Sequence, residues 1–280
     1  MKISASFIGK VFAACVVTLV LFYIGLLIWG FWHDEWSGYN DSAHISDGYC
    51  NIAVIPIVGD ITSYGESVDE YEESILTTTM EETISLLEIT EYDPYIAGVM
   101  MVIDSTGGAP AASEQITNEI KRSSMPTAAH IIDYGVSGAY LVATGADRVF
   151  ASPFSDVGSI GVTMSYLEYS ERNRAEGLEF VSLASAEFKD YGSPDKPLTP
   201  EERLLLERDL QIFHDEFVKQ VANNRDMNIE QVAELADGST LPGSLALEAG
   251  LIDELGDREV VREWFANELG LPSEEVVFCQ

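Results

Sequence analysis

Eight consecutive residues, Ile96-Ala97-Gly98-Val99-Met100-Met101-Val102-Ile103, carry no polar side chain and end abruptly in Asp104-Ser105-Thr106-Gly107-Gly108. A strand with one wet face alternates apolar and polar residues; an unbroken run belongs to a strand covered on both faces, as in a parallel sheet with helices above and below. The same pattern recurs along the chain. Asn51–Ile57 reads as a buried strand with a bend at Pro56, Thr127–Ile132 and Arg148–Ala151 as further strands, and Ile160–Met164 and Leu178–Leu183 as two more around a polar helix. Helices are expected within 70–92, over Ala111–Arg122 and over Ser137–Gly145. At Thr199-Pro200-Glu201-Glu202, a threonine cap, a proline at the first helical position and a capping-box glutamate open a long amphipathic helix to Asn224. Two shorter helices, Ile229–Ala236 and Glu259–Leu269, follow. Strands alternating with helices through short connections imply an α/β fold with a largely parallel sheet.

The N-terminus has a different character. Residues 11–32 run apolar without a break, and the first 32 residues contain Lys2 and Lys10 but no acid. As a helix this run is about 33 Å long, enough to cross a hydrocarbon core of about 30 Å, and no small-residue cleavage site follows it. A lipobox at Ala13-Ala14-Cys15 is a weaker reading, because the apolar run continues well past the cysteine. The lysines precede the span and His33-Asp34-Glu35 follow it, which predicts a single-pass cell-membrane protein with a cytoplasmic N-terminus and an extracytoplasmic domain. The expected organisation is a cytoplasmic segment 1–10, a transmembrane anchor 11–32, a polar linker 33–50, a folded domain 51–270 and a tail 271–280. The chain has 47 Asp+Glu against 15 Lys+Arg, a net charge of −32. Such a field repels nucleic acid and anionic surfaces, and a high-salt habitat is its natural setting. Three cysteines (Cys15, Cys50, Cys279) make no disulfide framework; a Cys50–Cys279 bridge is open, with nothing in the sequence to favour it. No Cys/His/Asp/Glu group has metal-ligand spacing, so no metal or other cofactor is expected.

Two glycine-rich junctions are suited to holding negative charge. Gly107-Gly108 ends one strand, and in Gly135-Val136-Ser137-Gly138-Ala139-Tyr140 a serine opens a short helix whose first amides are free. A carbonyl attacked by Ser137 would place its oxyanion between the Gly138 amide and one from Gly107 or Gly108. The chain from Asp104–Gly108 through Gly135–Tyr140, Ala146–Ala151 and Gly158-Ser159-Ile160-Gly161-Val162 to Phe188-Lys189-Asp190, with the later Ala246–Gly256, resembles the signal peptide peptidase A (SppA) family of serine proteases. That resemblance implies Ser137 as nucleophile, Lys189 as general base, Ser159 orienting the lysine, and Gly138 with Gly107 as oxyanion donors. It also implies a Clp/crotonase-like fold of repeated ββα units. Extended substrate would pair near Gly108 and Val162. The chain departs from the family pattern at Thr106, at Ala139 and in the turn Ser239–Gly243.

A lysine base sets a physical condition. Its reference pKa of about 10.4 must fall by about three units for it to work near neutrality, which requires burial, with Glu187 and Asp190 turned away. His130 and Asp133 suggest a Ser-His-Asp reading, but His130 belongs to the strand running into the serine turn and is taken as structural. The expected function is a membrane-anchored serine endopeptidase cutting residual signal peptides and other short apolar or unfolded peptides. The resemblance implies assembly into a homo-oligomeric ring or bowl, as large as an octamer. An inactive scaffold of the same fold and a crotonase-like acyl-thioester enzyme are the alternatives.

Overall fold

The computed structural model describes residues 22–23, 45–65, 67–68 and 74–279. Apart from Phe22 and Tyr23, which are helical, the expected cytoplasmic segment and membrane anchor lie outside the described residues. Among the described residues no helix is long and apolar enough to cross a membrane.

In chain order the elements are β1 (Ile52–Thr62), β2 (Ser67–Val68), β3 (Ser74–Ile75), β4 (Thr77–Thr79), α1 (Met80–Tyr92), β5 (Gly98–Gly108), α2 (Pro110–Ile120), β6 (Thr127–Val136), α3 (Gly138–Ala143), β7 (Arg148–Ala151), β8 (Asp156–Gly158), α4 (Ser170–Ala175), α5 (Pro200–Arg225), α6 (Ile229–Leu235), β9 (Thr240–Pro242), α7 (Gly243–Glu248), β10 (Glu254–Leu255) and α8 (Arg258–Leu269). The main sheet runs β10-β7-β6-β5-β1-β4. Every pairing along that path is parallel, and β8 extends the upper half of β6 while holding β9 antiparallel on its other side. This is the mostly parallel α/β sheet that the unbroken apolar runs predict. Pro56 stays within β1 because β4 pairs only with Asp60–Thr62, so at Pro56 the strand is an edge that needs no donor on that side.

The sheet has a core on each face, which explains why its strands lack alternation. One face packs Ile57, Ile61, Met101, Ile103 and Ile131 against α2, α3 and Val218 and Val221 of α5. The other packs Ile52, Met100 and Phe150 against Val261 and Phe265 of α8, with Val276 and Phe278 from the C-terminus.

The expected domain boundaries move outward. Residues 45–50 belong to the folded unit, which begins at Ile45: the Asp93 carboxylate accepts the Ile45 and Ser46 amides at 2.8 and 2.9 Å. The C-terminus is no free tail either. Val277 accepts the Asn51 and Ile52 amides, Cys279 donates its amide to Ile52 at 2.8 Å, and Cys50 and Cys279 form a disulfide. Two expected strands do not form. Ile160–Met164 and Leu178–Leu183 have no regular structure, and the second leaves Leu178, Phe180, Val181 and Leu183 exposed on an arm that follows α4. A strand needs a neighbouring strand to take its amides and carbonyls, and this arm has left the sheet.

Candidate active site

β5 and β6 end side by side, and both ladders are irregular there. The register of β1 against β5 shifts between Val58 and Asp60, and that of β5 against β6 between Ile103 and Ser105, as is common where a sheet re-aims its backbone at a site. Beyond the irregularity, the Ser105 hydroxyl donates to the Gly59 carbonyl at 2.6 Å and accepts the Gly107 amide at 3.1 Å. Gly107 then takes φ 100°, and a Cβ there would lie 2.7 Å from the Gly138 nitrogen and 2.9 Å from the Ser137 Cβ. Only glycine lets these two strand ends approach so closely.

Ser137 sits at the turn from β6 into α3 with φ 54° and ψ −128°, a conformation that costs a non-glycine residue about 1–3 kcal/mol. The turn is held by the Ser137 amide donating to Gly158 O at 2.7 Å and by its carbonyl accepting the Leu141 amide at 3.1 Å. Its side chain makes no capping bond to the helix it opens, so the hydroxyl is not committed to holding the helix end. As the first helical residue, Gly138 has no carbonyl one turn earlier to bond. Ser137, Gly138, Gly107, Gly108 and Val162 all line one cleft of about 800 Å³. The structure therefore brings together five of the seven predicted site residues.

The other two do not line the cleft. The Ser159 hydroxyl donates to the Gly238 carbonyl at 2.9 Å and its amide to Ser239 O, so it holds the turn before β9. Lys189 is exposed on the 176–199 arm, outside the cleft, where the sequence reading requires it buried. The Gly107 amide is already used by Ser105, whereas Gly108 is exposed and its nitrogen lies 3.3 Å from the position of a Cβ on Gly138. Gly108 is thus the better placed of the two glycines to aim an amide at the space over Ser137.

Sequence reading missed most of the cleft wall. Asp60, Ile61 and Thr62 come from the far end of β1, Glu114 from α2, and Phe213, Phe217 and Gln220 from α5. The only signal for these was the amphipathic face of α5, which sequence periodicity cannot assign to a particular partner.

Two buried groups stabilise the site from behind. The Tyr140 hydroxyl donates to Leu251 O at 2.8 Å, and burial pushes its acidity well below that of an ordinary phenol. Arg225, at the end of α5, donates to both oxygens of Asp253 at 2.8 and 2.9 Å and to Gly250 O, and Asp253 also accepts the Val149 amide at 2.7 Å. Burial raises the Asp253 carboxyl, but the Arg225 and Val149 hydrogen bonds and the nearby guanidinium charges outweigh it and hold the group below its ordinary range. The Ala246–Gly256 motif thus anchors Tyr140 of α3 from behind. His130 is buried in β6 beside Gly256, Asp257 and Arg258, in a hollow separate from the Ser137 cleft, and burial lowers its pKa. That placement agrees with a structural histidine.

The model of peptidase family S49 matches residues 119–271, more than half of the chain, including Ser137, Ser159 and Lys189. The chain belongs to peptidase family S49. A putative protease of Synechocystis sp. is 32% identical over 205 residues, 72% of this chain and 74% of its own length. A putative protease of Methanocaldococcus jannaschii is 34% identical over 178 residues, 63% of this chain and 57% of its own. A putative signal peptide peptidase SppA of Enterococcus faecium is 32% identical over 179 residues, 63% and 52%. The chain spans little more than half the length of the last two. Among solved structures, a membrane-bound stomatin-specific protease shares the fold, with a TM-score of 0.51 and 17% identity over 82% of this chain and 93% of its own. S49 membership supports a serine peptidase over the acyl-thioester enzyme and the inactive scaffold.

Proposed function

We propose that this S49 peptidase is a membrane-anchored endopeptidase in which Ser137 is the nucleophile and Lys189 the general base. The observation that carries the reading is the strained Ser137 in a mainly apolar cleft, with the Gly138 and Gly108 amides beside it. Neutral Lys189 takes the hydroxyl proton as the Ser137 oxygen attacks the peptide carbonyl. The Gly138 and Gly108 amides hold the oxyanion, and the lysine returns the proton to the departing amine. Water, activated by the same lysine, then releases the acyl group.

Because Lys189 is exposed in the single chain, the base is completed by assembly. The arm that bears it exposes Leu178, Phe180, Val181, Leu183 and Phe188. A second copy covering these side chains would also desolvate Lys189, as its chemistry demands. A homo-oligomeric ring or bowl meets both needs. Leu141, Val162, Phe213 and Phe217 around the serine suit an extended apolar segment, such as a cleaved signal peptide or an unfolded chain. The Cys50–Cys279 bridge supports a domain on the oxidising, extracytoplasmic side of the membrane.

A fluorophosphonate probe on the full chain in detergent tests the reading. Labelling should vanish in Ser137→Ala and Lys189→Ala and survive in His130→Ala. Labelling that persists without Lys189 and fails without His130 would replace the dyad with a histidine mechanism.

A further inference from the structure

The Lys189 arm is tied to α4, where Asn173 donates to Asp195 at 2.9 Å and the Tyr169 amide to Pro194 O at 2.7 Å, and again beside the first turn of α5. There the Lys196 ammonium pairs with the Glu202 carboxylate and lies 3.6 Å from Asp190. Glu202 is buried and has a second role. Its other oxygen accepts the Thr199 amide at 3.0 Å, while its own amide donates to the Thr199 hydroxyl, closing the capping box that begins α5. Ser182, further back along the arm, lines the same hollow and is the largest influence holding the Asp190 carboxyl below its ordinary value. These groups line a hollow of about 380 Å³.

Asp190 is the immediate neighbour of Lys189, and a carboxylate so close would favour the charged, inactive ammonium. Instead its charge is spent on Lys196. We propose that Lys196 is a positioning residue for Lys189: it pins the arm to α5 and neutralises the carboxylate next to the base. The inference rests on the reading of Lys189 as that base. The charged groups around the clamp are Glu187 and Asp190 from the arm and Glu201 and Glu202 from α5; in the cleft the base would meet Asp60, Glu114 and Glu216. The Asp190 and Glu202 carboxyls are held below their ordinary values, each by hydrogen bonding first and by Lys196 among the causes, as a satisfied cluster requires.

The test is the pH profile of kcat/KM on a quenched apolar peptide, using the full chain in detergent. Its rising acidic limb reports loss of the proton from the base. In Lys196→Met the unscreened Asp190 should move that limb up by about 0.5–1 pH unit, for unit charges about 7 Å apart at an effective dielectric of 40–80. Activity at pH 7 then falls about 3–10-fold and recovers by about pH 9. Adding Asp190→Asn should return the limb to its original position, and Lys196→Arg should keep it there. Asp190→Asn alone, which leaves the Lys196–Glu202 pair intact, should move it by a few tenths of a unit at most and provides a reading even if Lys196→Met folds poorly. An unmoved limb in Lys196→Met, a uniform loss at every pH, or a shift of a full unit in Asp190→Asn alone would overturn the clamp. Full activity in Lys189→Met would instead overturn the base assignment.

Discussion

Breaking the Cys50–Cys279 bridge should cost this domain several kilocalories without unfolding it. The bridge joins residues 229 apart, so it closes nearly the whole domain into one loop. Loop-closure entropy for a ring of that length is about 18 cal/mol/K, or about 5 kcal/mol at 25 °C, and residual structure in the unfolded chain brings the measured value toward 3–4. For a domain of this size that lowers the melting midpoint by roughly 6–20 °C. The C-terminus should nonetheless stay in place when reduced. Cys279 still donates to Ile52, Val277 still accepts from Asn51 and Ile52, and Phe278 still packs edge-on to Phe265 at 6.4 Å. The assay is guanidinium unfolding of the full chain in detergent, with and without reductant, beside a Cys50→Ser/Cys279→Ser variant. A thiol titration of the unfolded protein should find one free cysteine of the three before reduction. Midpoints that coincide under all three conditions, or three free thiols at the outset, would refute the reasoning.

Gly107→Ala should fold but lose at least about 100-fold in fluorophosphonate labelling rate, the scale of a lost oxyanion donor, since its methyl group would press on the Gly138 nitrogen and the Ser137 Cβ. Because the Asp253 carboxyl is held below its unfolded value, the stability it contributes is present above about pH 4 and lost as pH falls through its folded pKa. Asp253→Asn should therefore flatten the acid side of a stability-versus-pH curve, and Arg225→Met, which strands a partly buried carboxylate, should cost about 3 kcal/mol at pH 7 in a denaturant titration. With a net charge of −32, the chain should also unfold at a higher temperature in molar potassium chloride than in dilute buffer, and equal midpoints would remove the case for a saline habitat.

The central strands were legible because burial on both faces leaves an unmistakable trace: Ile96–Ile103 and Thr127–Ile132 lie almost wholly within β5 and β6. The start of α5 was legible for a local reason, as its capping box is written in four adjacent residues. Ser137 and its glycines could be found because tight backbone turns demand particular residues at particular places. What failed depended on partners distant in sequence. Leu178–Leu183 has the apolar content of a strand, but composition cannot say whether a sheet edge is available to receive it. The Cys50–Cys279 pair was invisible because spacing carries no information about two chain ends that meet through a parallel bridge between Ile52 and Phe278. The wall of the cleft supplied by α5 required knowing where a 26-residue helix would dock.

The hydrogen bond from Tyr140 to Leu251 joins two stretches of chain 111 residues apart. On the far side of that bond Arg225 ties Gly250 and Asp253 together, so α3 is coupled to a segment remote from it in the chain. A change that loosens the 250–253 segment would therefore be felt in α3 through Tyr140, although the Ser137 turn itself is held by Gly158 and Leu141. The helix that follows Ser137 is thus a long-range structure as well as a local one, and a substitution at Asp253 can reach it without touching the cleft.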